Sequence, residues 1–240
     1  MAPGGLDFRR RAELSEWMDE PCSREVMRAC LRDLARVNRW FLGYRPTLKW
    51  LEAMVGLAGN EPVRILDVGC GYGDALRQIE RWARERLVAV ELTGVDLNSD
   101  SVALAAEASG PDSAIQWIPE NVFDCDLPLR PHLIVSSLFA HHLMDEDVVR
   151  FLRWMEMNAE LGWFINDLSR APVPYHLFRW FSKAAGLHPF VQHDGPVSFL
   201  RAFVPDDWRR LCAAAGLERD AIEIVSHKPA RLCVSRRSGR

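Results

Sequence analysis

The sequence predicts an α/β protein built on a doubly wound, mostly parallel sheet. Three observations carry the prediction. A short β-rich apolar run containing Val63, Ile65, Leu66 and Val68 leads straight into a glycine-rich turn, as a strand covered on both faces does before a helix. Beyond the turn, Ala75, Leu76, Ile79, Trp82 and Ala83 recur at helical spacing. A second strand, Leu92 to Leu97, lies about 25 residues on and ends, like the first, in an acid. Strand and helix patterns then alternate toward the C-terminus, the signature of parallel strands joined by crossover helices.

Length and composition limit the possibilities. The chain has 240 residues and a hydrophobic fraction of 48%, enough for one domain with an added piece. Its net charge of -3 and pI near 6.2 supply no basic field for nucleic acid. No apolar run approaches the ~18 residues of a membrane span, and Met1–Gly5 leads into arginines without an apolar leader, so a cytoplasmic protein is expected. The six cysteines include no C-x-x-C pair and read as reduced thiols.

The elements are expected in the following order. Residues 1–22 read as a poorly ordered lead-in in which Trp17 and Met18 could dock. Ser23 caps a helix with Val26, Met27, Cys30, Leu31, Leu34, Val37 and Phe41 on one face, ended by Gly43. Pro46 opens a second helix, closed by Gly59 and Asn60. These two helices form an N-terminal cap over residues 1–60, ahead of a ligand-binding core at 61–168. At their junction, Arg39 or Arg45 offers a planar charged donor to a carboxylate or a substrate oxygen, with Trp40 and Tyr44 beside it. Asn98 and Ser99 cap the helix after the second strand; Ala114–Pro119 reads as a third strand and His132–Ser137 as a fourth, whose end reaches the ligand crevice. His141 and His142 follow it. Adjacent histidines diverge on a regular element, and no third ligand stands nearby in sequence, so no metal site is expected. One histidine, His141, is the candidate base, since its ordinary pKa suits proton acceptance near neutrality; hydrogen bonding to loop backbone is the other reading of the pair. Asp145 is expected to cap the next helix, and the fifth strand, Trp163-Phe164-Ile165, ends in the polar pair Asn166 and Asp167, placed to meet substrate. From Ser169 an insertion of about 30 residues (169–203) carries Tyr175, Leu177, Phe178, Trp180 and Phe181 at helical spacing, then a loop with His193, Asp194 and Gly195; it reads as a lid. Residues 204–240 return to the core with a helix opened by Pro205, a closing strand pair, and a solvated tail from Arg236.

The glycine turn identifies the ligand class. Its spacing is G-x-G-x-G (Gly69, Gly71, Gly73), not the G-x-G-x-x-G of a dinucleotide site, and Asp67 stands two residues ahead of it. A carboxylate there repels a pyrophosphate and attracts an ammonium group. With D-V-G-C-G-Y-G at 67–73 and G-V-D-L at 94–97, the chain resembles class I S-adenosylmethionine (SAM) methyltransferases over roughly residues 60–236. A nicotinamide-binding protein and a ligand-free α/β domain remain as the other readings of the turn.

The resemblance implies a Rossmann-like seven-stranded sheet whose last strand is antiparallel and inserted. It implies that SAM is bound and S-adenosylhomocysteine (SAH) released. Asp67 and the backbone of Gly69, Cys70, Gly71 and Gly73 would hold the amino-acid end of SAM, with Arg39 near its carboxylate. Asp96 would take the ribose hydroxyls and Asn121 (or Asp124) would bond the adenine amino group, with Leu97, Val122 and Ser137 also among the cofactor-binding residues. The segment Ala140-His141-His142-Leu143 resembles small-molecule enzymes of the ubiquinone and menaquinone group, and His193-Asp194-Gly195 resembles a bacterial subgroup linked to polyketide and phenolic-lipid pathways. The implied acceptor is a small aromatic or lipophilic molecule methylated on oxygen, held by Asn166, Asp167, His193, Asp194, Trp40 and Tyr44. C-methylation of a quinol or resorcinol ring and a non-catalytic SAM-binding protein are the alternatives, and a homodimer is a possible assembly.

Overall fold

The structure is a computed structural model that describes residues 6–237 apart from Asn60, Asp126 and Pro128. Asn60 as a helix stop and Ser238–Arg240 as a tail therefore lie outside the described residues. Seven strands form one sheet: β1 (Val63–Val68), β2 (Val90–Val95), β3 (Gln116–Ile118), β4 (Leu133–Ser137), β5 (Gly162–Leu168), β6 (Ile222–His227) and β7 (Arg231–Arg237). Their order is β3-β2-β1-β4-β5-β7-β6. The first five run parallel; β7 is inserted antiparallel between β5 and β6, with Ile165 opposite Val234. The order reverses between β1 and β4, so the carboxyl ends of these two neighbours open the crevice where ligands of such sheets bind.

Helices cover both faces. Of these, α1 (Arg24–Trp40) and α2 (Arg45–Met54) form the cap, and α3 (Asp74–Arg86) and α4 (Ser99–Ser109) follow β1 and β2. On one face Trp50, Leu51 and Met54 of α2 and Leu76, Ile79 and Trp82 of α3 pack with Ile65, Leu133 and Phe164 of the sheet. On the other, α5 (Asp145–Asn158) and α8 (Pro205–Ala214) press Phe151, Met155, Trp208 and Leu211 against Leu66, Ile134 and Trp163. A fully buried side chain such as Phe151, Leu76 or Met54 is worth about 1.5–3 kcal/mol of transfer free energy. Ser23 caps α1 by accepting from the Val26 amide, and Asn98 caps α4 by accepting from Asp100 and Ser101.

Four expectations need correction. Residues 6–22 are not a loose lead-in: they form a strap fastened across the C-terminal half. Arg11 donates to the Arg201, His141 and Leu143 carbonyls and to Asp145, while Arg170 donates to the Phe8 and Arg9 carbonyls. The residue that turns the chain after α1 is Leu42, at φ 54°, rather than Gly43. Asp145 is the first residue of α5, and its carboxylate pairs with Arg11 and Arg210 instead of capping the helix. Arg236 and Arg237 are not tail but the end of β7, with Arg236 paired to Glu156 at 2.8 Å.

The insertion after β5 is two helices, α6 (Pro172–Ala184) and α7 (Pro189–Arg201). The expected loop at His193-Asp194-Gly195 is the middle of α7. Its turn-forming residues serve packing instead. A Cβ at Gly195 would fall inside the Phe178 ring, so the missing side chain lets α6 and α7 close together. Pro196, inside the helix, costs one backbone donor. The lid's apolar face meets α1: Phe181 lies edge-on to Trp40 and Phe41, and Val191 packs with Cys30.

Candidate active site

The crevice has two compartments that share a wall. The smaller lies over the glycine turn. Asp67 sits at the end of β1, and Gly69, Gly71 and Gly73 follow, all with positive φ. Two of these show why glycine is required. A Cβ on Gly69 would collide with the Phe139 ring, whereas a Cβ on Gly71 would meet nothing within 4 Å and would project into the crevice. Gly73 forms the N-terminal boundary of α3, whose free amides face the same space. Asp96, at the end of β2, accepts from the Gly71 amide at 2.8 Å and from the Asn98 amide at 2.9 Å. Burial raises the Asp96 pKa, opposed by these two bonds.

A cavity of about 30 Å³ between the turn and the cap is lined by Asn38, Tyr44, Asp67, Cys70, Asp74 and Arg231 among others, with Ser137 and Leu138 at the end of β4. Two of its buried polar atoms have no hydrogen-bond partner: Asp67 Oδ1 and Arg231 Nη1. Their ionised forms carry opposite charge. Burial, and then the neighbouring Asp74 and Asp96, push the Asp67 pKa well up; burial lowers that of Arg231. An orphaned buried charge is costly. An α-amino acid group carries an ammonium for Asp67 and a carboxylate for Arg231, so the amino-acid end of SAM fits this cavity on the protein's own unmet needs. The floor is hydrogen-bonded: Tyr44 donates to Asp74 Oδ2 at 2.5 Å and Asn38 donates to the same oxygen.

The expected cofactor residues take varied positions. Leu97 is 75% exposed beside Asp96, an apolar surface available to a base. Val122 is buried; Asn121 lies half-buried with its side-chain oxygen accepting from Phe123, and Asp124 is exposed. Arg39 and Arg45 are exposed and line neither compartment. The buried guanidinium is instead Arg231, which donates from Nη2 to Asn38 Oδ1 at 2.7 Å. Sequence reasoning missed it because β7 lies far from the glycine turn in the chain; only the antiparallel insertion of β7 beside β5 brings them together.

The larger compartment has a volume of about 660 Å³ between cap, lid and strap. Its walls are mainly apolar, including Val37, Phe41, Leu177, Phe178 and Phe181. Asn38, Leu138 and Arg231 line both compartments. Its polar end is Glu16, His141 and His142. His141 is buried on the turn Ala140–His142, and its Nδ1 lies 2.7 Å from Asp167 Oδ1. Asp167 also accepts from the His141 amide (3.0 Å) and the Leu168 amide (2.7 Å). Burial alone would raise its pKa, but His141 and the two amides outweigh it and hold the carboxyl at about 2. A carboxylate so placed fixes the imidazole proton on Nδ1 and leaves Nε2 as the acceptor facing the cavity. Glu16, on the strap and 5% exposed, accepts from Ser198 at 2.9 Å and lies 3.9 Å from His141 Nε2. Glu16 carried no signal in the sequence, being 125 residues from His141 in a segment without periodicity.

Several expected substrate residues serve the scaffold. Asn166 donates to the Gly43 carbonyl and to Thr47, tying the cap to the sheet, and faces neither cavity. Asp167 acts on His141 rather than on the cavity. His193 stacks on Trp17 at 3.9 Å, and Asp194, which does reach the larger cavity, accepts from the Trp17 and Met18 amides. Trp40 is half exposed, and Tyr44 lines the smaller compartment only.

The sheet order and the glycine turn are like those of class I SAM-dependent methyltransferases. Residues 65–158, about two fifths of the chain, match the family model described as a methyltransferase domain. No curated protein matches the chain. Among solved structures, the plantazolicin methyltransferase BpumL in complex with a triazolic desmethylPZN analog and SAH is 14% identical, with 90% of this chain and 97% of that one covered and a TM-score of 0.64. Human N-acetylserotonin methyltransferase in complex with SAM is also 14% identical (91% and 57% covered, TM-score 0.63). Magnesium protoporphyrin IX methyltransferase from Synechocystis PCC 6803 with bound SAH is 13% identical (82% and 84%, TM-score 0.54). At these identities the likeness is one of fold. Among the described residues no helix is long and apolar enough to cross a membrane.

Proposed function

We propose that the protein methylates a hydroxyl oxygen on a small, largely apolar acceptor of aromatic or polyketide type. The observation that carries this reading is the His141–Asp167 pair at the polar end of an apolar cavity of about 660 Å³ that abuts the smaller compartment. Asp67 and Arg231 hold the amine and carboxylate of SAM, Asp96 its ribose, and Leu97 and Val122 flank the base. Leu138, shared by both compartments, stands between the cofactor's methyl end and the acceptor. Lid and cap exclude water and align the two partners, which supplies much of the rate of an in-line displacement. His141 Nε2 takes the proton as the acceptor O–H breaks. The oxygen lone pair forms the new O–C bond, the S–C pair returns to sulfur, and SAH leaves. The imidazolium formed is stabilised by Asp167 and returns its proton to solvent. General-base assistance of this kind is worth about 10²–10⁴ in rate.

The test is a screen of phenols, alkylresorcinols and polyketide-type phenols for SAM-dependent SAH release, with product NMR to separate O-methyl from C-methyl. His141→Ala should lower turnover by at least about 10²-fold while SAH still binds. Unchanged turnover removes His141 from the chemistry, and a ring-methylated product replaces O-methylation with C-methylation.

A further inference from the structure

We propose that Glu16, His141 and His142 form a binding site for one divalent transition-metal cation at the polar end of the acceptor cavity. One donor atom from each lies within 4.8 Å of the other two, and among the described residues this is the group of histidine, cysteine and acidic side chains so arranged. The two histidines share a tight turn on which they need not diverge; their rings lie 4.3 Å apart at 36°. Each has its Nδ1 at a carboxylate, His141 at Asp167 (2.7 Å) and His142 at Asp19 (3.3 Å). Carboxylates in that position orient a metal-binding imidazole and fix its tautomer. Both Nε2 atoms are thereby turned toward Glu16, at 3.9 Å from Oε1 and 4.0 Å from Oε2. Ligands around an ion at ~2.1 Å stand roughly 3.0–3.4 Å apart, so a contraction of about 1 Å closes the set.

The environment agrees. Glu16 is buried, and its nearest cation, Arg201, is 3.7 Å from Oε1 while also paired to Asp19. Two imidazoles and one carboxylate suit zinc, cobalt, iron or manganese better than magnesium or calcium, and three protein ligands leave open positions facing the cavity. The absence of a third ligand near the histidines in sequence argued against a metal; the strap supplies it. The meaning of the site rests on the reading of this corner as the place where the acceptor's oxygen arrives: with an ion bound, His141 is a ligand and the oxygen binds the metal, and without one His141 is the base.

The experiment uses the full chain without a histidine tag, stripped with chelator and titrated with Co²⁺ under visible absorption and calorimetry. We expect saturable binding at one site, weakened at least about tenfold in Asp19→Asn and lost in Glu16→Gln and His142→Gln. SAH titration of each variant reports whether its cofactor compartment is folded; should Glu16→Gln fail that control, Asp19→Asn, outside the ligand set, decides. Absence of saturable Co²⁺ binding in the native chain, or equal binding in the folded variants, overturns the site. Failure of SAH to bind the native chain would instead overturn the methyltransferase reading and leave the cobalt result standing.

Discussion

Replacing Arg231 with Met separates the cofactor role of this residue from any structural one. The guanidinium is buried, uses Nη2 on Asn38 and leaves Nη1 without a protein partner. Replacement by an apolar side chain of similar reach costs the charge-assisted Asn38 bond, about 2 kcal/mol, and removes a buried cation whose pKa burial already lowers. The two effects oppose one another, so the melting temperature should fall by no more than about 4 °C. The cofactor complex loses a charge-assisted bond to its carboxylate, worth about 2 kcal/mol, which is about a thirtyfold weaker dissociation constant. Calorimetry with SAH measures it directly, with no acceptor needed. An affinity within twofold of the native value would refute the assignment, and a loss seen in Arg39→Gln instead would return the role to the exposed end of α1.

Other outcomes follow from the same geometry. Gly43→Ala places a Cβ 2.5 Å from Arg231 Nη2, so SAH affinity should drop about tenfold (~1.4 kcal/mol) by calorimetry with little change in fold. Gly71→Val puts a β-branched residue at φ 50° and fills the crevice over the turn; SAH binding should vanish by the same measurement while circular dichroism stays native. Asp167→Asn offers an amide donor to His141 Nδ1 and shifts the imidazole proton to Nε2, so turnover should fall about 10²–10⁴-fold while SAH affinity holds. The same variant has a pH signature. Asp167 titrates at about 2 in the fold against 3.8 in an open chain, a difference of about 2 kcal/mol that is fully present above pH ~4 and lost as pH falls toward 2. Urea midpoints of native and variant protein should therefore converge over that window.

The parts of the site written in local sequence were legible, and the parts made by distant contacts were not. The glycine turn, the acids ending β1 and β2 and the two helices ahead of β1 are set by short-range pattern, the inserted antiparallel strand is implied by the resemblance that the glycine motif carries, and the structure has these elements. Asn166 illustrates the limit: position at a strand's carboxyl end suggested ligand contact, but the register that seats α2 against β5 turns its amide to Gly43 and Thr47. The stretch around Gly195 illustrates another: Asp, Gly and Pro favour a turn locally, yet packing against Phe178 and the strap holds a helix. Glu16 and Arg231 had no periodicity or motif to mark them. Their meaning comes from burial, which sequence spacing does not encode.

The strap brings position 16 to positions 141 and 142, while the compartment over the glycine turn is lined by the cap, β1, the end of β4 and β7, with no residue of the strap. The two functions are therefore separable by a single cut. On the reading proposed above, a copy trimmed of about its first twenty residues keeps every side chain assigned to the methyl donor and loses Glu16 from the acceptor end.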